Sequence, residues 1–363
     1  MITRTTTSGT LKTYRYNLQS STYSMNKSMN TVITRRSFNS FADNPAGAAR
    51  SFHLRSSYLR TSSQSTINES IVRKFNVAYK AMDSVESALD TDGGNSALFS
   101  ALRAMNGATA SSRRVLGQQC EDLAKSIVQD MNGRYGDNFV FSGADGLNAP
   151  FTFDGQTLLY RGVDVNADAA TDPDGAKLLE YYSSEKKYMD IGLGYDLSGG
   201  KVESSTVFDA ALQGVDFLGG YGTDADGDPK NVVAIISRMS VLLKHHTEST
   251  GGTRPDGSKY SEGDFDNAEH AAEYERLVGK LEDASIRVKQ KYTELSTKSS
   301  FLNDNQSQLK ANADNLNEQI EALDYVDEAQ AISDLIWAKY CYDTALKVGN
   351  SVLAQSLMDY LNL

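Results

Sequence analysis

Proline is scarce in this sequence, and its positions divide the chain. The 363 residues include five: Pro45, Pro150, Pro173, Pro229 and Pro255. Because proline interrupts the interior of a helix, the proline-free stretches 46–149 and 256–363 have room for long helices. Most of the glycines lie between Gly133 and Gly263. The sequence therefore predicts helical regions from both termini on either side of a turn-rich centre.

Long apolar runs and cysteines are also few. No segment approaches the roughly 18 apolar residues that a membrane-spanning helix requires, and residues 1–8 contain no apolar stretch of a cleavable secretory signal. We therefore expect either cytoplasmic residence or export by a route that uses no such signal. Cys120 and Cys341 lie too far apart for a metal-binding spacing. We interpret them as small apolar residues on helix faces rather than as a disulfide pair.

Charge is unevenly distributed along the chain, which has a net charge of −11. Residues 1–60 contain nine lysines and arginines and a single acid, Asp43, whereas residues 137–266 contain 22 acids and 10 bases. The N-terminal basic residues are scattered among serine, threonine and asparagine. Because nucleic-acid binding usually depends on clustered basic side chains, this distribution argues against a nucleic-acid partner.

A seven-residue apolar repeat runs through the C-terminal proline-free stretch. We call it the rod seam, and its members are Leu281, Val288, Leu295, Leu302, Leu309, Leu316 and Leu323. A heptad repeat keeps one side of a helix facing the same neighbour. A helix that spans Leu281 to Leu323 extends roughly 60 Å. Positions four residues further on are mostly small or polar. The helix therefore needs partner helices to bury its seam.

Both ends of the chain carry sparse amphipathic patterns, which we call the terminal stripes. The N-terminal stripe comprises Leu11, Tyr14, Leu18, Met25, Met29 and Val32, and the C-terminal stripe comprises Ile332, Leu335, Tyr342, Leu346, Leu353, Leu357 and Leu361. Burying six apolar side chains yields roughly 9–18 kcal/mol, whereas ordering about 22 residues costs roughly 22–44 kcal/mol. We therefore expect both stripes to form an assembly interface, disordered in the free subunit and folding when subunits assemble.

A proline-containing turn marks the start of the first long helix. Asp43, Asn44, Pro45 and Gly47 form this helix-start turn, with Asn44 as N-cap and Pro45 as the first helical residue. The pattern predicts a helix from there towards residue 90, although the polar stretch 61–65 leaves its continuity open. A third helix is predicted from Leu98, Leu102, Met105, Leu116, Cys120, Leu123 and Ile127, which share one face.

The middle of the chain follows a different pattern. Short aromatic and β-branched runs separated by glycines begin near residue 138 and predict strands and turns. The overall fold class predicted is mainly α, an elongated long-helix bundle or coiled coil built from both termini, with an inserted α+β middle domain. The expected segments are 1–38 (terminal helix), 39–137 (rod), 138–262 (inserted domain), 263–321 (rod) and 322–363 (terminal helix).

Candidates for catalysis or metal binding are few. Asp224, Asp226 and Asp228 alternate like the start of a calcium loop, but Pro229 occupies the glycine position and Ile235 the position of the bidentate glutamate. A solvated acidic turn is the favoured interpretation.

The histidines and the single tryptophan are interpreted in the same way. Adjacent residues His245 and His246 point about 100° apart on a helix and cannot bind one metal ion together. We interpret them, with His53 and His270, as surface residues and Trp337 as a packing residue. No catalytic residue, metal or cofactor is predicted, and we expect no enzyme activity.

The order of these motifs resembles the flagellin superfamily. The resemblance rests on the helix-start turn followed by Ala48 and Ala49, on Ser142-Gly143 and Pro150-Phe151-Thr152, and on the C-terminal stretches 326–333 and 355–361. It covers residues 1–143 and about 270–363. Pro45 in the turn, the stretch from Phe139 to Phe153 and the C-terminal stretches are most similar to hook-associated members. Asn44 replaces the usual second aspartate, and two cysteines are unusual for such proteins.

The resemblance implies a structural protein of the bacterial flagellum. It implies export without a cleavable signal through the flagellar type III channel to an extracellular location, after an export chaperone has covered the C-terminal helix. The resemblance further implies an adaptor between hook and filament that does not insert into a membrane. Its partners would be neighbouring copies, other hook-associated proteins and flagellin. The alternatives are flagellin itself, an enzyme with a site in segment 138–262, and a tip protein of an injection system.

Overall fold

The computed structural model describes residues 7–90, 95–104, 109–194, 197–198, 201–202, 207–249 and 251–361. These ranges contain nine helices: α1 (Thr7–Thr34), α2 (Pro45–Leu89), α3 (Ser96–Ala104), α4 (Ala110–Met131), α5 (Pro173–Ser184), α6 (Gly214–Phe217), α7 (Val232–His245), α8 (Ala268–Asp324) and α9 (Glu328–Leu361). The long helices come from both termini, and the mainly α fold class with a mixed middle segment is confirmed.

Short antiparallel strands occupy part of the middle segment. They are β1 (Arg134–Tyr135), β2 (Asn138–Phe139), β3 (Phe151–Phe153), β4 (Leu158–Tyr160), β5 (Val163–Asp164), β6 (Tyr188–Met189), β7 (Leu197–Ser198), β8 (Lys201–Val202) and β9 (Phe208–Asp209). The largest described sheet has the order β3-β4-β5, and the others are the pairs β1-β2, β6-β9 and β7-β8. All of these pairings are antiparallel.

The chain divides into two compact units. The terminal unit comprises Met1–Ser63 and Leu309–Leu363, and the central unit comprises Gln64–Gln308. Helices α2 and α8 contribute residues to both units. This division groups residues into compact units, whereas the five segments predicted from the sequence separate terminal helices, rod and inserted domain. The five segments therefore stay a prediction.

The apolar core lies in the central unit. Helix α2 contributes Ile71, Phe75, Ala78, Met82, Val85 and Leu89 at intervals of three to four residues, which places them on one face. Helix α4 adds Ile127 and α7 adds Met239, and both side chains are fully buried. Strand residues such as Leu158 belong to the same cluster. Helix and strand segments therefore share one core.

Helices α4 and α7 pack closely because a glycine lies between them. A Cβ atom at Gly117 of α4 would lie 3.0 Å from the carbonyl oxygen of Ser240 in α7. The Ser240 hydroxyl in turn donates a hydrogen bond of 2.7 Å to the Gly117 carbonyl oxygen. A buried hydroxyl must find such a partner, so this contact fixes how the two helices face each other.

A buried amide cluster joins α2 to α8 within the central unit. We call Asn68, Asn305 and Gln306 the Asn68 cluster. The Asn68 amide donates to the Leu302 carbonyl at 2.9 Å and to the Gln306 side-chain oxygen at 2.8 Å. The Asn305 amide donates to the Ile191 carbonyl at 2.8 Å and to the Asn68 side-chain oxygen at 3.3 Å. Polar groups buried in an apolar seam fix the register of paired helices.

Two sequence expectations about the N-terminal helices are resolved. Helix α2 continues through the polar stretch 61–65. The single third helix expected over residues 98–127 is wrong, because it is two helices, α3 and α4. Thr109 has an extended backbone, and its side chain accepts a hydrogen bond from the Ser112 amide. This N-cap starts a new helix, which the shared apolar face did not indicate.

In the terminal unit the chain connects α8 to α9 beside the end of α1. The Ser37 amide donates to the Asp324 carbonyl at 2.8 Å, and the Val326 amide donates to the Arg35 carbonyl at 3.2 Å. Arg55 of α2 donates to the Asp324 carboxylate at 2.5 Å and 3.1 Å. Burial disfavours the ionised Asp324, but the hydrogen bonds from Arg55 and Ser51 outweigh it and lower the pKa of its carboxyl.

This pair predicts a pH-dependent stability of the terminal unit. Asp324→Asn should lower the free energy of unfolding by about 1–2 kcal/mol at pH 7, since a hydrogen bond between charged groups is lost. A lowered pKa contributes stability above the unfolded value of about 3.9 and loses it as the pH falls through the folded value. The difference in free energy of unfolding between Asp324→Asn and the parent should therefore shrink below about pH 4. Hydrogen exchange of α8 residues 309–324, followed as a function of pH, measures this difference.

The matched control is Asp314→Asn, an exposed carboxylate on the same helix. It should change the exchange rates little at either pH. A deficit for Asp324→Asn that stayed constant between pH 7 and pH 3 would contradict the assignment to this ion pair.

Candidate assembly interface

Helices α1 and α9 pack along each other in the terminal unit, with small residues at the contact. Ala331, Ala338 and Gly349 of α9 are buried. They follow one another at intervals of seven and eleven residues, which keeps them on one face of the helix. A Cβ atom at Gly349 would lie 1.9 Å from the Tyr14 hydroxyl oxygen. The helices therefore approach closely where α9 has no large side chain.

The predicted terminal stripes are divided between two faces. On α1, Leu11, Tyr14, Leu18, Met25 and Val32 are half-buried, whereas Met29 is exposed. On α9, Leu335 and Tyr342 are half-buried, whereas Ile332 and Leu346 are exposed. Leu353, Leu357 and Leu361 lie in a part of α9 whose side chains are not described. The C-terminal stripe thus combined residues facing α1 with residues facing away from it.

The side of α9 that faces away from α1 carries large apolar side chains. We call it the outer face, and its described members are Ile332, Ile336, Trp337, Tyr340, Leu346 and Val348. Trp337 is 67% exposed and its ring stacks on Tyr340 with centroids 5.8 Å apart. The interpretation of Trp337 as a packing residue is wrong within the single chain. The outer face has the composition of an interface core, because tryptophan and tyrosine are enriched there.

The terminal unit as a whole buries little apolar surface. Among its described side chains, the buried apolar residues are Leu309, Ile320, Ala331 and Ala338. Of the 22 large apolar side chains that are exposed among the described residues, fourteen belong to this unit, although it is the smaller of the two. None of the described residues of this unit belongs to the core cluster. An exposed apolar surface of this kind marks a site of association.

The close approach at Gly349 predicts a specific sensitivity of the α1–α9 pair. Gly349→Ala gains helix propensity of up to about 1 kcal/mol but places a methyl group into the Tyr14 ring, and overpacking costs about 1–3 kcal/mol. We expect the α1–α9 contact to weaken by about 1–2 kcal/mol, measured as faster hydrogen exchange of α1 and α9 amides in the assembled protein, where the terminal stripes are expected to be folded.

A matched control is available on α8. Gly279 is exposed, and no atom lies within 4 Å of a Cβ built there, so Gly279→Ala should slow exchange locally. Adding Tyr14→Ala to Gly349→Ala should restore much of the pairing. Unchanged exchange in Gly349→Ala would show that the two helices do not approach as closely as described.

The rod seam and the helix-start turn occupy defined positions. Leu281, Val288, Leu295, Leu302 and Leu309 are buried, and Leu316 and Leu323 are half-buried.

At the helix-start turn, the Asn44 side-chain oxygen accepts a hydrogen bond of 2.9 Å from the Gly47 amide, and α2 begins at Pro45. The Asp43 carboxylate accepts from the amides of Asn39 and Ser40, and these bonds lower its pKa.

The acidic turn at residues 224–228 is not a solvated one, contrary to expectation. Lys280 forms ion pairs with Asp224, Asp226 and Asp228, and Arg276 pairs with Asp228 at 3.1 Å. Burial alone would lower the pKa of Lys280, but the hydrogen bonds that it donates to these carboxylates raise it. The three acidic side chains thus pair with two cations of α8 and connect the turn to this helix within the central unit.

Sequence reasoning also missed a grouping of histidines. His246 does not pair with its neighbour His245 but lies with Asp266 and His270, and their candidate ligand atoms are within 4.8 Å of one another. The signal was hidden because the residues are separated by a long connection.

The cysteines agree with expectation: both thiols are free, and burial raises the pKa of Cys120 to about 12. Among the described helices, none has both the length and the apolar character needed to span a membrane.

Comparison with known proteins gives a likeness in structure but not in sequence. No protein-family profile and no curated protein sequence matches this chain. The fold is similar to that of a Vibrio parahaemolyticus protein assigned as a flagellar hook-associated protein, with a TM-score of 0.52 and 13% identity over 78% of this chain and 100% of that chain. The chain shares the fold of the Vibrio protein.

A second solved structure, that of Bacillus cereus FlgL, has a TM-score of 0.46 and 14% identity over 74% of this chain and 99% of that chain. The likeness to the Vibrio protein confirms the fold that the resemblance to the flagellin superfamily implied. At this level of identity, the likeness establishes the fold alone.

Proposed function

We propose that this chain is a structural adaptor of the bacterial flagellum, the junction subunit that joins hook-type subunits to the filament. The observation that carries the proposal is the outer face of α9, together with a terminal unit that buries almost none of its described apolar side chains. The fold shared with the Vibrio hook-associated protein supports it.

The two units have different roles in this proposal. The central unit holds the apolar core and serves as a folded body before assembly. The terminal unit supplies the assembly interface, formed by the terminal stripes and the outer face of α9. Its partners are neighbouring copies, other hook-associated proteins and flagellin. Because the α1–α9 contact is formed largely by small and half-buried residues, packing is completed only when other subunits cover the apolar side chains.

Delivery and localisation follow from the same proposal. The protein is exported through the flagellar type III route without a cleavable signal and acts outside the cell. An export chaperone covers the C-terminal helix beforehand, because the outer face of α9 would otherwise promote association in the cytoplasm. The role is structural, without catalysis, a cofactor or insertion into a membrane.

Deletion of the gene tests the proposal. We expect hooks to form, filaments to be absent and flagellin to appear in the medium, as seen by electron microscopy and by analysis of culture supernatants. Re-expression of the full chain should restore filaments. Intact filaments in the deletion strain would overturn the junction role.

The purified chain distinguishes an adaptor from flagellin. An adaptor should remain monomeric when filament seeds or precipitating salt are added, whereas flagellin polymerises under those conditions. Polymerisation of the purified chain alone into long filaments would replace the adaptor by flagellin.

A further inference from the structure

Three metal-binding side chains converge where α7 ends and α8 begins. His246 is the C-cap of α7, Asp266 precedes α8, and His270 lies in the first turn of α8. Nδ1 of His246 lies 2.9 Å from one carboxylate oxygen of Asp266, and Nδ1 of His270 lies 2.5 Å from the other. The two imidazole centroids are 3.8 Å apart. Both histidines therefore share one carboxylate and lie against each other.

The backbone holds these three residues in place. The Asp266 amide donates to the His246 carbonyl at 2.9 Å, and Thr247 and Phe265 form an antiparallel bridge next to it. The His270 amide donates to the Asn267 side-chain oxygen at 2.7 Å, which caps α8. Because the main chain is fixed on both sides, little conformational entropy remains to be lost when the side chains bind a common ligand.

We propose that His246, Asp266 and His270 form a binding site for one divalent transition-metal ion of the zinc class. Two imidazole nitrogens and one carboxylate oxygen are a typical zinc ligand set, and water supplies the fourth ligand. Bonds of about 2.0–2.2 Å in tetrahedral geometry hold ligand atoms roughly 3.3 Å apart. The side chains need to separate only slightly from their present distances to admit the ion.

Accessibility and the placement of Asp266 agree with this assignment. The three side chains are between 22% and 30% exposed, so an ion can reach them from solvent while each remains packed on one side. Asp266 contributes a carboxylate oxygen to the set, and its two oxygens face the two imidazoles.

A metal ion at this site would join the ends of two helices. His246 and His270 bracket the connection 247–267, so one ion bound to both would close that connection, as a disulfide closes a loop. This role is separate from the assembly interface, because all three ligands belong to the central unit. Failure to bind zinc would leave the adaptor role untouched, and failure of the adaptor role would leave the zinc site untouched.

Calorimetric titration of the full-length chain without a histidine tag tests the proposal. With zinc chloride we expect saturable binding of one ion per chain, and with cobalt(II) the visible absorption of a tetrahedral nitrogen–oxygen site. His246→Ala, His270→Ala and Asp266→Asn should each weaken zinc binding about a hundredfold. Circular dichroism of each variant without metal verifies that it is folded.

His245→Ala is the matched control, because His245 is the exposed neighbour of His246. It should bind zinc as the parent does. Asp226→Asn serves as a second control, since the acidic turn at residues 224–228 is the other described grouping with metal-binding spacing. Absence of saturable binding to the folded parent, or parental affinity in both His246→Ala and His270→Ala, would overturn the proposal.

Discussion

Replacing Ile336 and Trp337 together by serine should leave the central unit folded and prevent incorporation of the chain into flagella. Both side chains belong to the outer face of α9 and are about two-thirds exposed. Burying each in an assembly contributes about 2 kcal/mol, so losing both weakens association by roughly a thousandfold. Serine is suitable because its helix propensity is close to those of isoleucine and tryptophan.

Expression of this variant in the deletion strain provides the measurement. Filaments should be absent, the secreted variant should accumulate in the medium, and its circular dichroism should match that of the parent. Leu147→Ser is the matched control, because Leu147 is 75% exposed but belongs to the central unit. Normal filaments with the double variant would show that the outer face of α9 is not the assembly interface.

A second large effect is expected from Phe75→Ala in the central core. Phe75 is fully buried, and its ring contacts Phe208 with centroids 5.6 Å apart. Removing a buried phenylalanine ring costs about 3–5 kcal/mol in free energy of unfolding, through lost transfer energy and the cavity that remains. Denaturant unfolding followed by far-ultraviolet circular dichroism measures the loss. The fluorescence of Trp337 is unsuitable, because this residue lies in the terminal unit.

Phe301→Ala provides the comparison, because Phe301 contacts the same ring. Phe301 stacks on Phe208 with centroids 6.2 Å apart, but it is 42% exposed. Its removal leaves no closed cavity, so the cost should stay near 1 kcal/mol. Equal losses for the two variants would contradict the placement of the core along α2.

Much of the fold could be predicted from the sequence because its strongest signals are local or periodic. Asn44 and Pro45 indicated the start of α2, since an N-cap side chain and a fixed φ act within one turn of helix. The heptad positions from Leu281 to Leu309 are buried, because a seven-residue period defines one side of a helix without knowledge of its partner.

The candidate assembly interface was harder to predict, since periodicity does not say which of two adjacent helix faces turns inward. Ile332 and Leu335 are three residues apart and were assigned to one stripe, but Leu335 is half-buried and Ile332 exposed. The inner face of α9 is formed by Ala331, Ala338 and Gly349. Small residues carry little hydrophobic signal, although they permit the closest packing.

Groupings of charged and histidine side chains depend on tertiary structure. Lys280 lies more than fifty residues beyond the aspartates with which it pairs, so no local pattern indicated it. The same holds for His246 and His270, which the connection between α7 and α8 brings together.

The Asn68 cluster has a consequence for how the chain reaches its native form. A heptad repeat allows two long helices to slide past each other by seven residues and still bury leucines, so several near-isoenergetic alignments compete during folding. Only the native alignment places Asn68 against Gln306 and Asn305. Any shifted alignment leaves carboxamides facing hydrocarbon, at a cost of about 1–3 kcal/mol for each unmatched group. The buried amides therefore select a single alignment of α2 against α8.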